Sequence, residues 1–405
     1  MTAVEVKKDI YWVGAVDWNV RDFHGYSTER GTTYNAYLVK DEKVALFDTV
    51  KHDFISDLVH NIHQVIEPTK IDYIIVNHVE LDHSGSLPEL IERVKPEKIF
   101  CTANGKRAMI SHFHREDWPF EVVKTGDEIS LGSRTVRFIE TKMLHWPDSM
   151  FSYLVEDKLL FSSDAFGQHL ASSQRFDDQL PMDELITHAA KYYANILLVF
   201  SPLVQKLLAQ VGEMGLAIEM IAPDHGPIWR TAPGKIIEAY GRWSRQETAK
   251  KALVVYDTMW KSTEKMAKSI CTGLEREGVE VRLMSARLCH RSDIMAEMLD
   301  AKAVIFGSAT LNNNIMPRLA DILTYVKGLR PVGRIGASFG SYGWSGEAVR
   351  QLNGYLEEIG IELVDEGVKI KNVPDHEGYK QCMELGRTVG RAVMQGTQTT
   401  VGDNK

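Results

Sequence analysis

Paired cysteines are missing from this chain. The four present, Cys101, Cys271, Cys289 and Cys382, are scattered and form no C-x-x-C. That excludes a disulfide framework and a thiolate-held metal centre, including a fused small iron module ligated by cysteines. Excess positive charge is missing too, since the formal net charge is −8. Nucleic acid and anionic membranes are thereby disfavoured as main partners, because such binding is driven by clustered Lys and Arg. No apolar run approaches the roughly 18 residues that span a bilayer. The opening Met1-Thr2-Ala3-Val4-Glu5-Val6-Lys7 lacks the basic-then-apolar layout of a secretory signal. Together these absences predict a cytoplasmic protein whose partners are small molecules or another protein. Histidine runs out early as well: of the fourteen, only His290 and His376 follow residue 250. Imidazole chemistry is therefore expected in the first part of the chain.

What is present fits two α/β domains. The chain of 405 residues is long enough for two or three. Before Lys250, strand-like runs at Val44–Phe47, Ile71–Val76, Val136–Ile139 and Leu159–Phe161 alternate with turns and a few helical stretches, as in an α/β sandwich. After it, runs at Leu253–Tyr256, Val279–Leu283, Ala303–Phe306 and Ile335–Phe339 alternate with helices, as in a doubly wound parallel sheet. A helix predicted over Lys235–Ala249 closes the first domain. The expected domains are 1–249 and 250–395, followed by a polar tail at 396–405. From Gln395 on the chain reads as disordered.

The densest chemistry is His78-Val79-Glu80-Leu81-Asp82-His83, directly after the apolar run ending at Val76. Two imidazoles and two carboxylates buried together would leave uncompensated charge unless a cation sat among them. In an extended segment residues i, i+2 and i+4 share a face, and a turn brings the remaining neighbour onto a second ion. The stretch resembles the metal signature of the metallo-β-lactamase superfamily, His-x-His-x-Asp-His, with Glu80 in place of the second His. A carboxylate there adds charge and hard oxygen, which suits iron or manganese better than zinc.

Three further segments offer donors at the ends of strand-like runs: Leu144-His145-Trp146-Pro147-Asp148, Phe161-Ser162-Ser163-Asp164 and Ala222-Pro223-Asp224-His225-Gly226. With HVELDH at 78–83, LHWPDSMF at 144–151, SDAFGQH at 163–169 and PDHG at 223–226, nearly the whole chain resembles the flavodiiron proteins. The fold this implies is an N-terminal metallo-β-lactamase-like αββα sandwich followed by a C-terminal flavodoxin-like sheet. The resemblance gives one iron His78, Glu80 and His145, and the other Asp82, His83 and His225, with Asp164 as bridging carboxylate. It further implies that His24 and one tyrosine of the pair Tyr192 and Tyr193 line the substrate side, with the choice of tyrosine open. His169 stands near the ligands with its role open. His112, His114 and His188 read as ordinary surface or structural residues.

A second constellation follows the strand Leu253–Asp257. Thr258, Met259, Trp260, Lys261, Ser262 and Thr263 run into a helical stretch. Strand, hydroxyl-rich loop and helix make a phosphate cradle, and G-x-G-x-x-G is absent from it, so FMN fits better than FAD or NAD. Two later loops each follow a strand: Ser308, Ala309, Thr310, Leu311, Asn312 and Asn313, then Ser341, Tyr342, Gly343 and Trp344. Ligands of open α/β sheets bind beyond the carboxyl ends of strands, and these loops resemble those that enclose the flavin ring in flavodoxins.

The resemblance implies reduction of dioxygen to water, nitric oxide to nitrous oxide, or both, at a diiron site with FMN as electron relay. The rival reading is a zinc-dependent hydrolase of the superfamily with a flavodoxin-like appendage. Also implied are a head-to-tail homodimer, with a dimer of dimers as the larger assembly it allows, and an external electron donor such as rubredoxin.

Overall fold

The computed structural model of the chain describes residues 2–396. Of the tail expected to be disordered, 397–405 lies outside the described residues, whereas Gln395 and Gly396 are the last residues of the helix His376–Gly396. The chain forms two compact units. One runs up to Tyr192 and includes Pro202–Gly241, and the other joins Tyr193–Ser201 to the chain from Arg242 on.

The first unit contains two large sheets and two two-stranded ones, Ala15–Asp17 with Thr32–Tyr34 and Asp22–Phe23 with Tyr26–Ser27. Its seven-stranded sheet runs, in spatial order, Val4–Lys7, Ile10–Trp12, Tyr37–Val39, Ala45–Phe47, Tyr73–Ile75, Lys98–Cys101 and Phe120–Val122. The last four of these strands are parallel. The five-stranded sheet runs Glu128–Ser130, Thr135–Glu140, Met150–Leu154, Leu159–Phe161 and Met220–Ala222. Why the central strands of the seven-stranded sheet read as unbroken apolar runs follows from what each face meets. Tyr37, Val39, Ala45, Phe47 and Ile75 pack against Val136, Phe138, Leu159 and Phe161 of the other sheet. The alternate residues Leu38, Leu46, Ile74 and Ile99 pack against Leu58 and Ile62 of helix Ile55–His63 and Leu87, Leu90, Ile91 and Val94 of helix Leu87–Val94. A strand covered on both faces has no polar side to show.

In the second unit one parallel sheet is ordered Glu280–Ser285, Ala249–Asp257, Ala301–Ala309 and Ile335–Tyr342. Glu362–Leu363 and Val368–Lys371 both pair with the last of these. Chain reversal beside the first strand is the flavodoxin-like order. The register sets Asp257 opposite Ser308 and Ala309 opposite Ser341, so three strand ends open onto one edge. Beneath the sheet, helices Ser262–Arg276 and His376–Gly396 cross at Gly273 and Gly386. A Cβ on either would sit 2.1 Å from a backbone oxygen of the opposite helix.

The helix expected over Lys235–Ala249 spans Pro233–Ser244 instead. Gln246 takes a left-handed φ of 51°, and the Ala249 amide donates to the Asp300 carbonyl, which pulls Ala249 into the sheet. One further reading is corrected. The helical run Met182–Glu213 contains an 18-residue window of mean hydropathy 1.4 and is long and apolar enough by composition to cross a bilayer. Its Leu185, Ala189, Tyr192, Leu197 and Leu198 are buried in the protein, which gives the apolar run a core role.

Candidate functional site

Loops that leave the strands of the first unit bring seven donors together. His78 and Glu80 follow strand Tyr73–Ile75, His145 follows Thr135–Glu140, Asp164 follows Leu159–Phe161, and His225 follows Met220–Ala222. The 78–83 stretch is not extended as the sequence suggested, since Leu81–Ser84 is a helical turn. That turn matters, because adjacent residues of a strand point to opposite faces, whereas Asp82 and His83 here reach one cluster. His225 is set by Gly226, whose φ is +77° and on which a Cβ would sit 2.6 Å from the Gln168 carbonyl oxygen.

The donors form two groups that share one carboxylate. His78, Glu80, His145 and Asp164 make the first, and Asp82, His83 and His225 the second. Asp164 divides itself between them. Its Oδ2 lies 2.9 Å from His145 Nε2 and 3.5 Å from His78 Nε2. Its Oδ1 lies 3.2 Å from His83 Nε2 and 3.5 Å from His225 Nε2. Glu80 closes the first group at 3.3 Å from the Nε2 atoms of both His78 and His145. Asp82 closes the second at 3.2 Å from those of His83 and His225.

Protein atoms alone do not satisfy this cluster. Asp82 Oδ1, Asp164 Oδ1 and both ring nitrogens of His83 are buried and make no hydrogen bond, a costly condition that cations would remove. Burial pushes Glu80 upward, yet the imidazoles of His145 and His78 prevail and hold it well below the usual carboxylate range. Burial likewise disfavours a charged His83, but Asp82 and Asp164 draw it up to about 10. Ring protons so strongly held mark where metal cations fit. Oxygen-rich donor sets of this kind suit iron.

Around the donors stand residues the sequence left unassigned. Asp148, within the LHWPDSMF stretch, faces His78 Nδ1 at 3.0 Å. His225 Nδ1 faces the Thr33 carbonyl at 2.6 Å. Asp48 accepts from the Asn77 amide and side chain at 2.7 and 2.6 Å, fixing the start of the ligand loop. Asp148 alone had a sequence signal, its place three residues after His145. Thr33 lies in the strand Thr32–Tyr34 and Asp48 just after Ala45–Phe47, and only the fold reveals how either stands to the site.

A cavity of about 390 Å³ opens on the donors and is lined by Phe23, His24, Tyr34, Glu80, Asp82 and Trp146, with Lys51 and His112 among the rest. His24 stands with its Nε2 3.4 Å from Glu80 Oε1 and its side chain 75% exposed. His112, read as ordinary, lies on this cavity. Geometry separates the two tyrosines. The Tyr192 ring is 5.1 Å from His169 and 6.1 Å from His225, whereas Tyr193 bonds to the Ser201 hydroxyl and packs on Trp243. His169 is buried, with Nδ1 2.8 Å from the Thr32 hydroxyl, and burial together with His225 holds it well below the usual imidazole range.

In the second unit a cleft of about 440 Å³ lies at the carboxyl edge of the sheet. Met259, Trp260, Ser262, Ala309, Thr310, Asn312, Asn313, Ser341, Tyr342, Gly343 and Trp344 all line it, and so do Asn372 and Val373, which sequence reading missed. Thr258, Lys261, Thr263, Ser308 and Leu311 are not in its lining. Thr263 is buried and its hydroxyl meets that of Ser341 at 2.9 Å. Ser308 turns inward to hold Met316 N and the Ala309 carbonyl. The buried Thr258 hydroxyl has no hydrogen-bond partner in the protein, which fits an anion cradled at this loop.

A two-sheet metal-site unit followed by a flavodoxin-like unit defines the class, and the chain belongs to the flavodiiron protein family. The ODP family beta lactamase pattern matches residues 32–226 and the flavodoxin pattern residues 254–386. Among relatives, the chain is 48% identical over 396 residues to the rubredoxin-oxygen oxidoreductase of Megalodesulfovibrio gigas, covering 97% of this chain and 98% of that one. It is 47% identical to the nitric oxide reductase of Moorella thermoacetica, covering 96% and 98%. The flavodiiron protein from Giardia intestinalis superposes with a TM-score of 0.95 at 34% identity, over 98% of each chain.

Proposed function

We propose that this chain is an oxidoreductase that reduces dioxygen to water, nitric oxide to nitrous oxide, or both, at a pair of iron ions with FMN as electron relay. The observation that carries the reading is the division of Asp164, one oxygen toward each nitrogen group. A single negative group between two cations offsets their repulsion. His78, Glu80 and His145 would hold one iron, and Asp82, His83 and His225 the other. FMN would place its phosphate at the loop 258–263 and the start of the following helix, with its ring between the 308–313 and 341–344 loops.

Bound in these places, the irons would supply Lewis acidity toward a diatomic ligand, and FMN would supply an electron reservoir. The chain's own residues handle protons and water. Reduction of either gas consumes one proton for each electron, so donors must stand at the cavity or next to the metal ligands. His24 lines the cavity and Tyr192 packs against the rings of His169 and His225, and these two are those we assign. Burial, reinforced by the charge of Asp164, keeps the Tyr192 phenol protonated well above its ordinary 10.0. His169, neutral and tied to Thr32, would set the position of the neighbouring rings. Phe23, Tyr34, Leu81 and Trp146 line the cavity with apolar surface, which limits bulk water and escape of partly reduced products.

As for partners, a small redox protein such as rubredoxin would reduce the FMN, and a head-to-tail homodimer would be the working unit. All four cysteines are unpaired, in keeping with the reducing cytoplasm in which we place the protein. Metal and flavin analysis followed by anaerobic single turnover tests this function. The dithionite-reduced protein should carry two irons and one FMN per chain and consume dioxygen or nitric oxide. Zinc with esterase activity and no gas consumption would instead establish the hydrolase.

A further inference from the structure

The two donor groups look equivalent in composition, but what lies behind their imidazoles is not. His78 is buried, with a carboxylate at its back: Asp148 Oδ2 accepts at 3.0 Å from Nδ1 and at 2.7 Å from the backbone amide of Val79. Asp148 is itself 3% exposed, and its carbonyl is tied to the Thr102 hydroxyl at 2.9 Å. In the second group His225 has only neutral oxygens behind it, the Thr33 carbonyl at 2.6 Å and the Thr32 hydroxyl at 3.3 Å. His83 has a carboxylate nearby, but Asp224 Oδ2 stands 3.8 Å from Nδ1, beyond hydrogen-bond reach, and His83 Nδ1 makes no hydrogen bond.

A carboxylate that accepts the outer N–H of a ligating histidine fixes its tautomer and raises its basicity, whereas a carbonyl fixes the tautomer with less charge transfer. Building on the metal-site reading above, we infer that Asp148 is a positioning residue that makes the two metal positions unequal. The His78, Glu80 and His145 position binds its ion more tightly and holds it oxidised at lower potential than the Asp82, His83 and His225 position. Loading and reduction of the pair are then ordered: the first position fills first and is reduced last.

Asp148→Asn isolates the charge. One oxygen serves both hydrogen bonds, so an asparagine oxygen can keep the contacts to His78 and Val79 while the negative charge is lost. The test uses the full FMN-loaded chain, stripped of metal by chelation and titrated anaerobically with Co(II), followed by visible absorption. The wild type should show two steps. In Asp148→Asn the tighter step should weaken by about 10- to 100-fold with the weaker step unmoved, so that the two merge, and Asp148→Glu should restore the separation. EPR-monitored reduction of the iron-loaded proteins gives a second readout, in which the potential of the later-reduced iron rises in Asp148→Asn. Flavin content and circular dichroism matching the wild type establish that the variant is folded. Two wild-type steps that Asp148→Asn leaves unchanged, or a change confined to the weaker step, would overturn the inference while sparing the diiron reading. A wild type that takes up no more than one Co(II) would overturn the diiron reading itself.

Discussion

In the first unit side chains carry the chemistry: seven donors from four separate segments meet in the interior, and all but Glu80 and His145 are fully buried. In the second, strand ends and the segments that follow them carry it. Three loops at the ends of parallel strands bound an open cleft whose rim includes Trp260 and Trp344, 91% and 89% exposed. The contrast matters for robustness. A site made of convergent charges depends on every member, because removing one strands its partners unpaired in the interior. A cleft made of strand ends spreads recognition over many amides and hydroxyls, each contributing modestly. Single substitutions should therefore be severe in the first site and graded in the second.

Asp164→Ala is the strongest test of that difference. It removes the one carboxylate both groups share and leaves His78, His83, His145 and His225 facing an uncompensated gap. Even partners behind a ligand cost about 10- to 100-fold in metal affinity, so loss of the bridge should exceed about 100-fold. Elemental analysis should find most of the iron gone and absorbance should find FMN retained. Iron at the wild-type level would break the comparison at its root.

Within the first site the tyrosine pair sharpens the argument. Tyr192→Phe removes a phenol that packs beside His169 and His225, and a lost proton donor should slow single turnover by about 100-fold. Tyr193→Phe removes the bond to Ser201 and should cost about 1 kcal/mol of stability with turnover unchanged. Since the Tyr192 phenol stays protonated well above 10.0, the wild-type rate should show no tyrosine-linked fall below about pH 10. Equal kinetic effects from the two variants would remove Tyr192 from the proton path.

How much of this was legible beforehand differs between the halves for the same reason. The donors announced themselves as residue types: HVELDH, His145, Asp164 and His225 are unusual side chains at strand ends, and all seven converge. The strand Leu159–Phe161 was found to the residue, because Asp157-Lys158 and Ser162-Ser163 bound its apolar run on both sides. What stayed hidden was whatever depends on packing partners far away in sequence. Thr33 and Asp48 carry no motif, and the Tyr192 and Tyr193 choice turned on helix phase. The helical turn at Leu81–Ser84 replaced an extended reading because six residues are too few for periodicity to distinguish the two. In the second unit the strand ends ran further than expected, since Ser308 and Ala309 close the strand Ala301–Ala309, Ser341 and Tyr342 close Ile335–Tyr342, and Ser262 and Thr263 open the helix Ser262–Arg276; which residues face the cleft was not readable either, because Ser308 and Thr263 turn inward and Asn372 and Val373 follow a later strand.

Thr263→Ala probes whether the second site is graded, as the comparison requires. Its hydroxyl joins the start of the phosphate-side helix to Ser341 on the ring-side loop, so its loss loosens two walls without removing either. FMN affinity should fall by about tenfold, equivalent to the roughly 1.4 kcal/mol at the upper end for one hydrogen bond, with iron unchanged. Flavin-fluorescence titration of the flavin-stripped chain measures this directly. Complete loss of FMN would show that this cleft, like the metal site, hangs on single side chains.

The smallest effect is expected at Trp344. Its ring is 89% exposed and lines the cleft, so Trp344→Ala deletes little buried contact, and stability should stay within about 0.5 kcal/mol of wild type. Any consequence must then be read in the flavin. If the side chain covers part of the ring when FMN is bound, its removal should weaken binding by a few-fold, about 1 kcal/mol for an aromatic contact, and shift the flavin absorption bands. Riboflavin should be weakened by the same factor as FMN, because the phosphate loop lies elsewhere in the cleft. A loss for FMN but not for riboflavin would mean that Trp344 acts through the phosphate side, and the division of the cleft into a phosphate end and a ring end would have to be redrawn.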